Sequence, residues 1–170
     1  MDKQFTEIFR KKEELLNLLL KNQKDNGEFE SIIYFPQLPE NGWIYAGPSP
    51  FNTSSILIAL KDIQHNSISE IKNKGCQFIF SLMEKNGLWR FYPHGGIFKF
   101  NTPCDVDDTV LASYALRKNN FNAPANENHL YAQQKNNGLF YTWDLPRLSI
   151  LFKNPFHFLW LVTDLKNTYN

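Results

Sequence analysis

The sequence has few cysteines, no excess of charge of either sign and no long apolar run. Its two cysteines, Cys76 and Cys104, are too few for a disulfide framework or a cysteine-based zinc site. Lysine and arginine number 18 against 17 aspartates and glutamates, so the net charge of +1 gives no reason to expect a nucleic-acid partner. The longest apolar runs, 56–60 and 156–162, are too short to cross a bilayer. These absences argue against a disulfide-stapled, nucleic-acid-binding or membrane-spanning protein.

The first twelve residues are charged and amphipathic, which is not the pattern of a secretion signal. Together with the scarcity of cysteine, this favours a reducing, cytoplasmic location. A chain of 170 residues is expected to form one domain, 1–170, with a core of its own.

Aromatic residues are abundant, with 15 Phe, 7 Tyr and 4 Trp. Many of them stand beside Gly and Pro in segments that do not have the pattern of a helix. Aromatic side chains on loops can line a cavity, and they can equally pack beneath long loops. Both interpretations stay open on composition alone.

Apolar residues recur at helical spacing in six stretches, and no stretch shows a convincing strand pattern. Caps and breakers mark the helix ends, such as the Asn52–Ser55 run before one helix and Asn154-Pro155 before the last. We therefore predict an all-α fold of about six helices. They cover about 3–24, the run from 52–55 to 63, 67–86, the run from the acidic cluster to 118–120, a short segment after Pro124, and 155–165.

One pattern occurs three times: a helix, an Asn-Gly stop, an aromatic residue, a long aromatic loop and a second helix. The three stops end in Gly27-Glu28-Phe29, Gly87-Leu88-Trp89 and Gly138-Leu139-Phe140. The second helices also match, since Thr53 precedes Ala59-Leu60 as Thr109 precedes Ala115-Leu116. Repeats of this kind predict stacked helical hairpins that bury their apolar faces against one another. The expected units are about 1–65, 66–120 and 121–170.

Three carboxylates, Asp105, Asp107 and Asp108, fall within four residues at the start of the fourth helix. One or two Asp residues suit a helix N-terminus, because they cap free N–H groups and favour the positive end of the dipole. Three so close together repel one another, which raises the pKa of at least one. The cluster is therefore a candidate general acid, with capping and solvation as the alternative.

The repeat and the acidic cluster together resemble a known superfamily. Gln-x-x-x-Gly-x-aromatic, present at Gln23–Phe29 and Gln134–Phe140, resembles the repeat of the squalene–hopene cyclase, or prenyltransferase-like, α/α-toroid superfamily. Asp105-Val106-Asp107-Asp108-Thr109 resembles the Asp-x-Asp-Asp-Thr acid motif of its class II terpene cyclases. In the second repeat Met83 or Glu84 stands near the place of the glutamine.

The resemblance implies an isomerase that starts the cyclisation of a polyprenyl substrate, squalene or a prenyl diphosphate, by protonating it. In that interpretation Asp107 is the acid, and Asp105 and Asp108 orient it and tune its acidity. An alkene is a very weak base, so the acid must be neutral and aimed at one carbon. Aromatic faces then stabilise the cation by about 0.5–2 kcal/mol each. The candidate substrate-binding aromatics are Trp43, Trp89, Phe91, Tyr92, Tyr141 and Trp143.

The resemblance also sets expectations about partners. The substrate is an apolar isoprenoid, the reaction needs no metal or other cofactor, and peripheral contact with a membrane is a further expectation. Six helices make about half of a closed ring. A second copy of the chain or another chain is therefore expected to complete the ring and exclude water.

Several alternatives remain. His94, in the loop before the acidic cluster, is a candidate hydrogen-bond partner of the acid, ahead of His129 and His157. A zinc site like that of protein prenyltransferases needs Asp-x-Cys, but the order here is Cys104-Asp105. Magnesium or calcium on the carboxylates stays open.

Two further functions stay open. A carbohydrate-processing toroid would need a second carboxylate, for which Asp144 and Asp164 are poor candidates. The strongest rival is a degenerate toroid without activity, which would bind a lipid or a protein partner.

Overall fold

The computed structural model describes residues 3–34, 42–45, 47–84, 86–92 and 102–169. Their fold is all-α, as the sequence predicts, with seven helices and one short antiparallel ribbon. No helix in these residues is both long and apolar enough to span a membrane. In chain order the elements are α1 (Lys3–Asn22), β1 (Ile32–Tyr34), β2 (Trp43–Tyr45), α2 (Pro50–Ala59), α3 (Asn66–Ser81), α4 (Val106–Lys118), α5 (Glu127–Ala132), α6 (Leu148–Lys153) and α7 (Pro155–Tyr169).

Local capping explains where the long helices begin. Ser49 caps α2 by accepting the N–H of Phe51 at 3.3 Å, and Pro50 occupies the first helical position, where its missing N–H is harmless. The predicted cap at 52–55 was therefore a few residues late. Asp105 caps α4 by accepting the N–H of Asp108 at 2.7 Å, as the acidic cluster predicted.

The first four helices pack in two layers. The first helices of the repeats, α1 and α3, contact each other, and the second helices, α2 and α4, contact each other more extensively. The side chain of Asn119, which follows α4, donates to the carbonyl of Leu57 near the end of α2 at 3.4 Å. The two second helices, α2 and α4, which we call the inner helices, therefore run parallel, with their N-termini at the same end of the stack.

The three glycine stops share one hydrogen-bond pattern. The N–H of Gly27 donates to the carbonyl of Lys24, and the N–H of Lys24 donates to the carbonyl of Glu28, both at 2.9 Å. The same pair of bonds recurs in 84–88 and 135–139. All three glycines have positive φ, from 78° to 93°, which L side chains rarely adopt. The repeat seen in the sequence thus has a structural counterpart.

A second bond ties each of the first two stops to the inner helix of its own repeat. The N–H of Phe29 donates to the hydroxyl of Thr53 at 2.9 Å, and the N–H of Trp89 donates to the hydroxyl of Thr109 at 3.0 Å. Both threonines are completely buried. The two threonines therefore connect the aromatic residue after each glycine stop to the start of the second helix of the same repeat.

Two short elements were not expected. The ribbon pairs Ile32 with Tyr45 and Tyr34 with Trp43, but its strands have three residues each, too few for an alternation signal. Helix α6 has six residues and lies within what the sequence predicted as the third aromatic loop. Neither changes the fold class.

In the residues that the structure describes, the buried apolar side chains form three clusters. The largest joins α2, α3 and α4 around Leu57, Ile79 and Leu116. A second joins α1 to α3 through Leu16 and Ile71. The third, which includes Ile150 and Leu161, holds α5, α6 and α7 together.

Candidate functional site

The acidic cluster begins at Asp105, an extended residue in the segment 104–106, which backbone hydrogen bonds hold on two sides. On one side the N–H of Asp105 donates to the carbonyl of Trp89 at 3.1 Å. On the other, the N–H of Val106 donates to the carbonyl of Thr142 at 2.9 Å, and the N–H of Asp144 donates to the carbonyl of Cys104 at 2.8 Å. The second and third repeats thus both fix the position of Asp105.

Two of the three carboxylates are buried. Asp105 is 4% exposed and Asp108 is 2% exposed. The two residues share the capping bond described above. The Oδ1 atom of Asp108 is not part of that bond, and it is buried without a hydrogen-bond partner in the described residues. A buried carboxylate oxygen without a partner is costly when ionised. This arrangement therefore favours protonation of the pair.

Burial raises the pKa of both carboxyls. For Asp105, burial raises the pKa to about 9, and the nearby carboxylates of Asp108 and Asp107 contribute to the increase. For Asp108, burial raises the pKa to about 6, against the effect of its hydrogen bond to Asp105, which lowers it. Two adjacent carboxyls that cannot both ionise hold one proton between them. At neutral pH we expect that proton to be on Asp105.

Asp107 differs from its neighbours because its side chain is exposed. It is the second residue of α4, and Phe51 has the equivalent position in the parallel helix α2. Of the three carboxylates, Asp107 is therefore the one that a ligand can reach. The resemblance implies that Asp107 is the acid and that Asp105 and Asp108 tune it, and this stays a prediction.

Phe91 and Tyr92 belong to a small aromatic cluster at the start of α2. The ring centroid of Phe91 lies 6.0 Å from that of Phe51 and 4.7 Å from that of Tyr92. Both predicted residues are partly exposed, as is Phe51. Because α2 and α4 have their N-termini at the same end, this cluster lies at the end of the stack that carries Asp107. Sequence reasoning missed Phe51, although its repeat position matches that of Asp107.

Trp89 is a correction to the expected set of substrate-binding aromatics. Its side chain is completely buried in the cluster of α2, α3 and α4, and its indole N–H donates to the carbonyl of Ile79 at 2.8 Å. No surface of the ring is left for a substrate. The residue follows a glycine stop in the sequence, which made it look like a loop residue, but it is part of the core.

Of the other three predicted aromatics, two lie in the third repeat. Tyr141 and Trp143 are on the surface of the third repeat, 38% and 42% exposed, and the guanidinium of Arg147 stacks 3.8 Å from the ring centroid of Tyr141. Trp143 pairs with Asp105 through the backbone. The side chains of Trp43 and Asp164 lie outside the described residues, and so does His94.

A buried polar network in the third repeat was not recognised from the sequence. His157, at 2% exposure, places its Nε2 atom 3.0 Å from the carboxylate of Asp144, at 4%. Gln133 donates to the same carboxylate and accepts from Arg147. The His129 ring packs against that of His157, with 4.2 Å between centroids. His157 and Asp144 are 13 residues apart in sequence, so no local pattern linked them.

An apolar groove runs along α1 in the first repeat. It has a volume of about 510 Å³ and is lined by leucine and isoleucine side chains of α1, by Leu60 and Ile63, and by Lys11 and Lys12. Within the groove Ile8 is 58% exposed and Leu15 is 61% exposed. It is an apolar surface that the described residues offer to a ligand.

Among the residues that the structure describes, no three His, Cys, Asp or Glu side chains are arranged to hold an ion.

In comparisons with known proteins, no family model matches the chain, and no curated protein or solved structure is significantly similar to it. The resemblance therefore depends on the repeat and the acid motif alone.

Proposed function

We propose that the chain is a terpene cyclase-like isomerase that protonates an isoprenoid substrate through the Asp105–Asp108 cluster. The observation that carries the proposal is the buried Asp105–Asp108 pair, which keeps a proton at neutral pH directly beside the accessible Asp107. The raised pKa of Asp105 makes it a proton store, and Asp107 is the carboxyl that reaches the substrate. This division of roles agrees with what the acid motif implies.

The reaction follows from these positions. Asp107, after receiving the proton that the Asp105–Asp108 pair holds, transfers it to one carbon of a double bond, whose electron pair forms the new C–H bond, and Asp107 is left as a carboxylate. The cation on the neighbouring carbon is attacked by the next double bond, which closes a ring. The reaction ends when a proton is lost, so substrate and product are isomers. The faces of Phe51, Phe91 and Tyr92 are available to stabilise the cation.

The proposal includes a second copy of the chain. A carbocation reacts at once with water, so the site must be closed during the reaction. In the described part of the chain no extensive contact joins α1 to α7, and the stack is open at both ends. A partner copy would close it, and light scattering should then give twice the mass of the chain. The cytoplasmic location and the supply of substrate from a membrane surface remain parts of this proposal.

A product assay tests the proposal. The purified chain is incubated with farnesyl diphosphate, geranylgeranyl diphosphate or squalene, and the extracts, after phosphatase treatment of the diphosphate samples, are analysed by gas chromatography with mass spectrometry. We expect a cyclic isomer of one substrate, which Asp107→Asn abolishes because the amide cannot donate the proton. Asp62→Asn, at a side chain that is 86% exposed, is the matched control and should retain activity. No product from any substrate would remove the catalytic claim.

The groove on α1 favours a second candidate, a module that binds a lipid without reacting with it. Its apolar lining suits a hydrocarbon chain, and Lys11 and Lys12 suit an anionic head group. With farnesyl monophosphate as the probe, we expect calorimetry to detect binding. Leu15→Gln should weaken binding about tenfold in this case, whereas Asp107→Asn should not. If Asp107→Asn weakened binding and Leu15→Gln did not, the result would favour the acid site as the binding site.

A further inference from the structure

The buried pair of Asp144 and His157 lies outside the acid site but is linked to it by the backbone. Asp144 belongs to the segment 142–144, which contributes two hydrogen bonds to the segment 104–106. Asp105, the cap of α4, is the middle residue of the segment 104–106. The side chain of Asp144 thus anchors the segment 142–144, whose backbone holds the residues around Asp105.

The anchor is well defined geometrically. The carboxylate of Asp144 accepts from Gln133, which follows α5, and lies 3.0 Å from the Nε2 atom of His157 in the first turn of α7. The backbone N–H of His157 donates in turn to the side chain of Asn154, which precedes α7. A carboxylate that is nearly removed from solvent and bound from two helices has little freedom to move.

We propose that Asp144 and His157 are positioning residues for the acid site: they fix the segment 142–144, and this segment keeps Asp105 buried against Asp108. The inference rests on the proposed function only where it treats Asp105 as part of an acid site. The geometric link does not depend on any substrate. The third repeat would then be needed for the acidity of a residue in the second.

The link has a consequence for the titration of Asp105. If His157 no longer binds the carboxylate of Asp144, that buried charge loses a partner and moves toward water, taking the segment 142–144 with it. Water then reaches Asp105, and the pKa of Asp105, which burial had raised, falls. A direct effect of the unpaired Asp144 charge would have the opposite sign, because a nearby negative charge raises the pKa of a carboxyl.

The test compares three variants of the full chain. His157→Phe keeps a ring against His129 and removes the donor. His157→Gln keeps a donor at the position of Nε2 and serves as the conservative variant. Ile150→Val loosens the core of the same repeat without touching the pair, and is the control. Carboxyl ¹³C NMR follows the titration of Asp105 and Asp108, and amide hydrogen exchange follows Val106 and Asp144.

We expect His157→Phe to lower the apparent pKa of the Asp105–Asp108 pair by at least one unit and to speed exchange of both amides at least tenfold. His157→Gln and Ile150→Val should remain close to the wild type. An unchanged titration in folded His157→Phe would overturn the inference, and so would equal changes in all three variants. Should His157→Phe not fold, His157→Asn, which is too short to reach the carboxylate, takes its place. No substrate is used, so the result is independent of whether the chain is a cyclase.

Discussion

The guanidinium of Arg90 is completely buried, and its Nε atom lies 2.8 Å from the carboxylate of Glu84 across the second glycine stop. The two residues stand three positions before and three after Gly87. In the first repeat the same positions carry Lys24 and Glu30, which form an ion pair of reversed polarity at 2.8 Å. In the third repeat, Lys135 lies over the ring of Tyr141 at 4.5 Å. The repeat therefore conserves an attraction across the stop, although the side chains that supply it differ.

The first prediction concerns the different burial of these pairs. Glu84→Gln should destabilise the fold by on the order of 3 kcal/mol, because it leaves the buried guanidinium of Arg90 without this charged partner. Glu30→Gln removes the carboxylate of the corresponding pair in the first repeat, where both side chains are over a third exposed, and should cost less than about 1 kcal/mol. Urea unfolding measures both. Equal losses in the two variants would mean that burial does not set the strength of the pair.

The second prediction concerns the buried threonines. Thr109→Val and Thr53→Val keep the side-chain volume but remove the hydroxyl that accepts the N–H of Trp89 or Phe29. An unsatisfied buried N–H costs about 1–3 kcal/mol, so both variants should lose stability in that range. Thr163→Val is the control, since its hydroxyl lies on the exposed side of α7. A loss from Thr163→Val as large as the other two would contradict the explanation.

The third prediction separates two effects at the glycine stops. A Cβ at Gly138 would meet nothing within 4 Å, so Gly138→Ala should show only the backbone strain of φ = +84°, about 1–3 kcal/mol. A Cβ at Gly27 would lie 2.1 Å from the carbonyl oxygen of Lys74. Gly27→Ala therefore has to displace α3 and should lose clearly more stability than Gly138→Ala. Thermal unfolding of the two variants decides, and equal losses would show that strain alone determines the effect.

The sequence was sufficient for features that depend on neighbouring residues. The helices, the three glycine stops and the cap at Asp105 follow from local periodicity and hydrogen bonding, and all of them are present. It could not tell that Trp89 is buried, because loop and core aromatics have the same composition signal. It also could not tell which carboxylate of the cluster is buried. That depends on the distant segment 142–144, and on the His157–Asp144 pair that holds it.

The fourth prediction concerns the pH dependence of the carboxyl pair. The pKa values of Asp105 and Asp108 are raised in the fold, so the folded chain binds more protons than the unfolded chain above about pH 4. Stability contributed by this pair is therefore lost as pH rises, with a slope of about 1.4 kcal/mol per pH unit for each proton. The loss from Asp108 ends near pH 6, and the loss from Asp105 continues toward pH 9.

Asp108→Asn removes one carboxyl of the pair and reduces the repulsion felt by the other. Its stability, measured by urea unfolding from pH 5 to pH 8, should gain on that of the wild type as pH rises. Asp62→Asn, at an exposed position, should follow the wild type across the range. If the curves of Asp108→Asn and the wild type ran parallel, the pair would not be holding an extra proton in the fold.

The last prediction has the opposite sign and concerns His129. Burial lowers the pKa of His129, the nearby His157 lowers it further, and Asp144 acts in the other direction. Near pH 6.5 the unfolded chain therefore binds this proton more readily than the folded chain does, so stability is lost as pH falls through that value. His129→Phe keeps a ring against His157 but cannot titrate. The difference in unfolding free energy between the wild type and this variant should shift in favour of the variant from pH 7.5 to pH 5. The carboxyl pair is common to both proteins and cancels in this difference. A difference that stays constant with pH would show that His129 contributes packing alone.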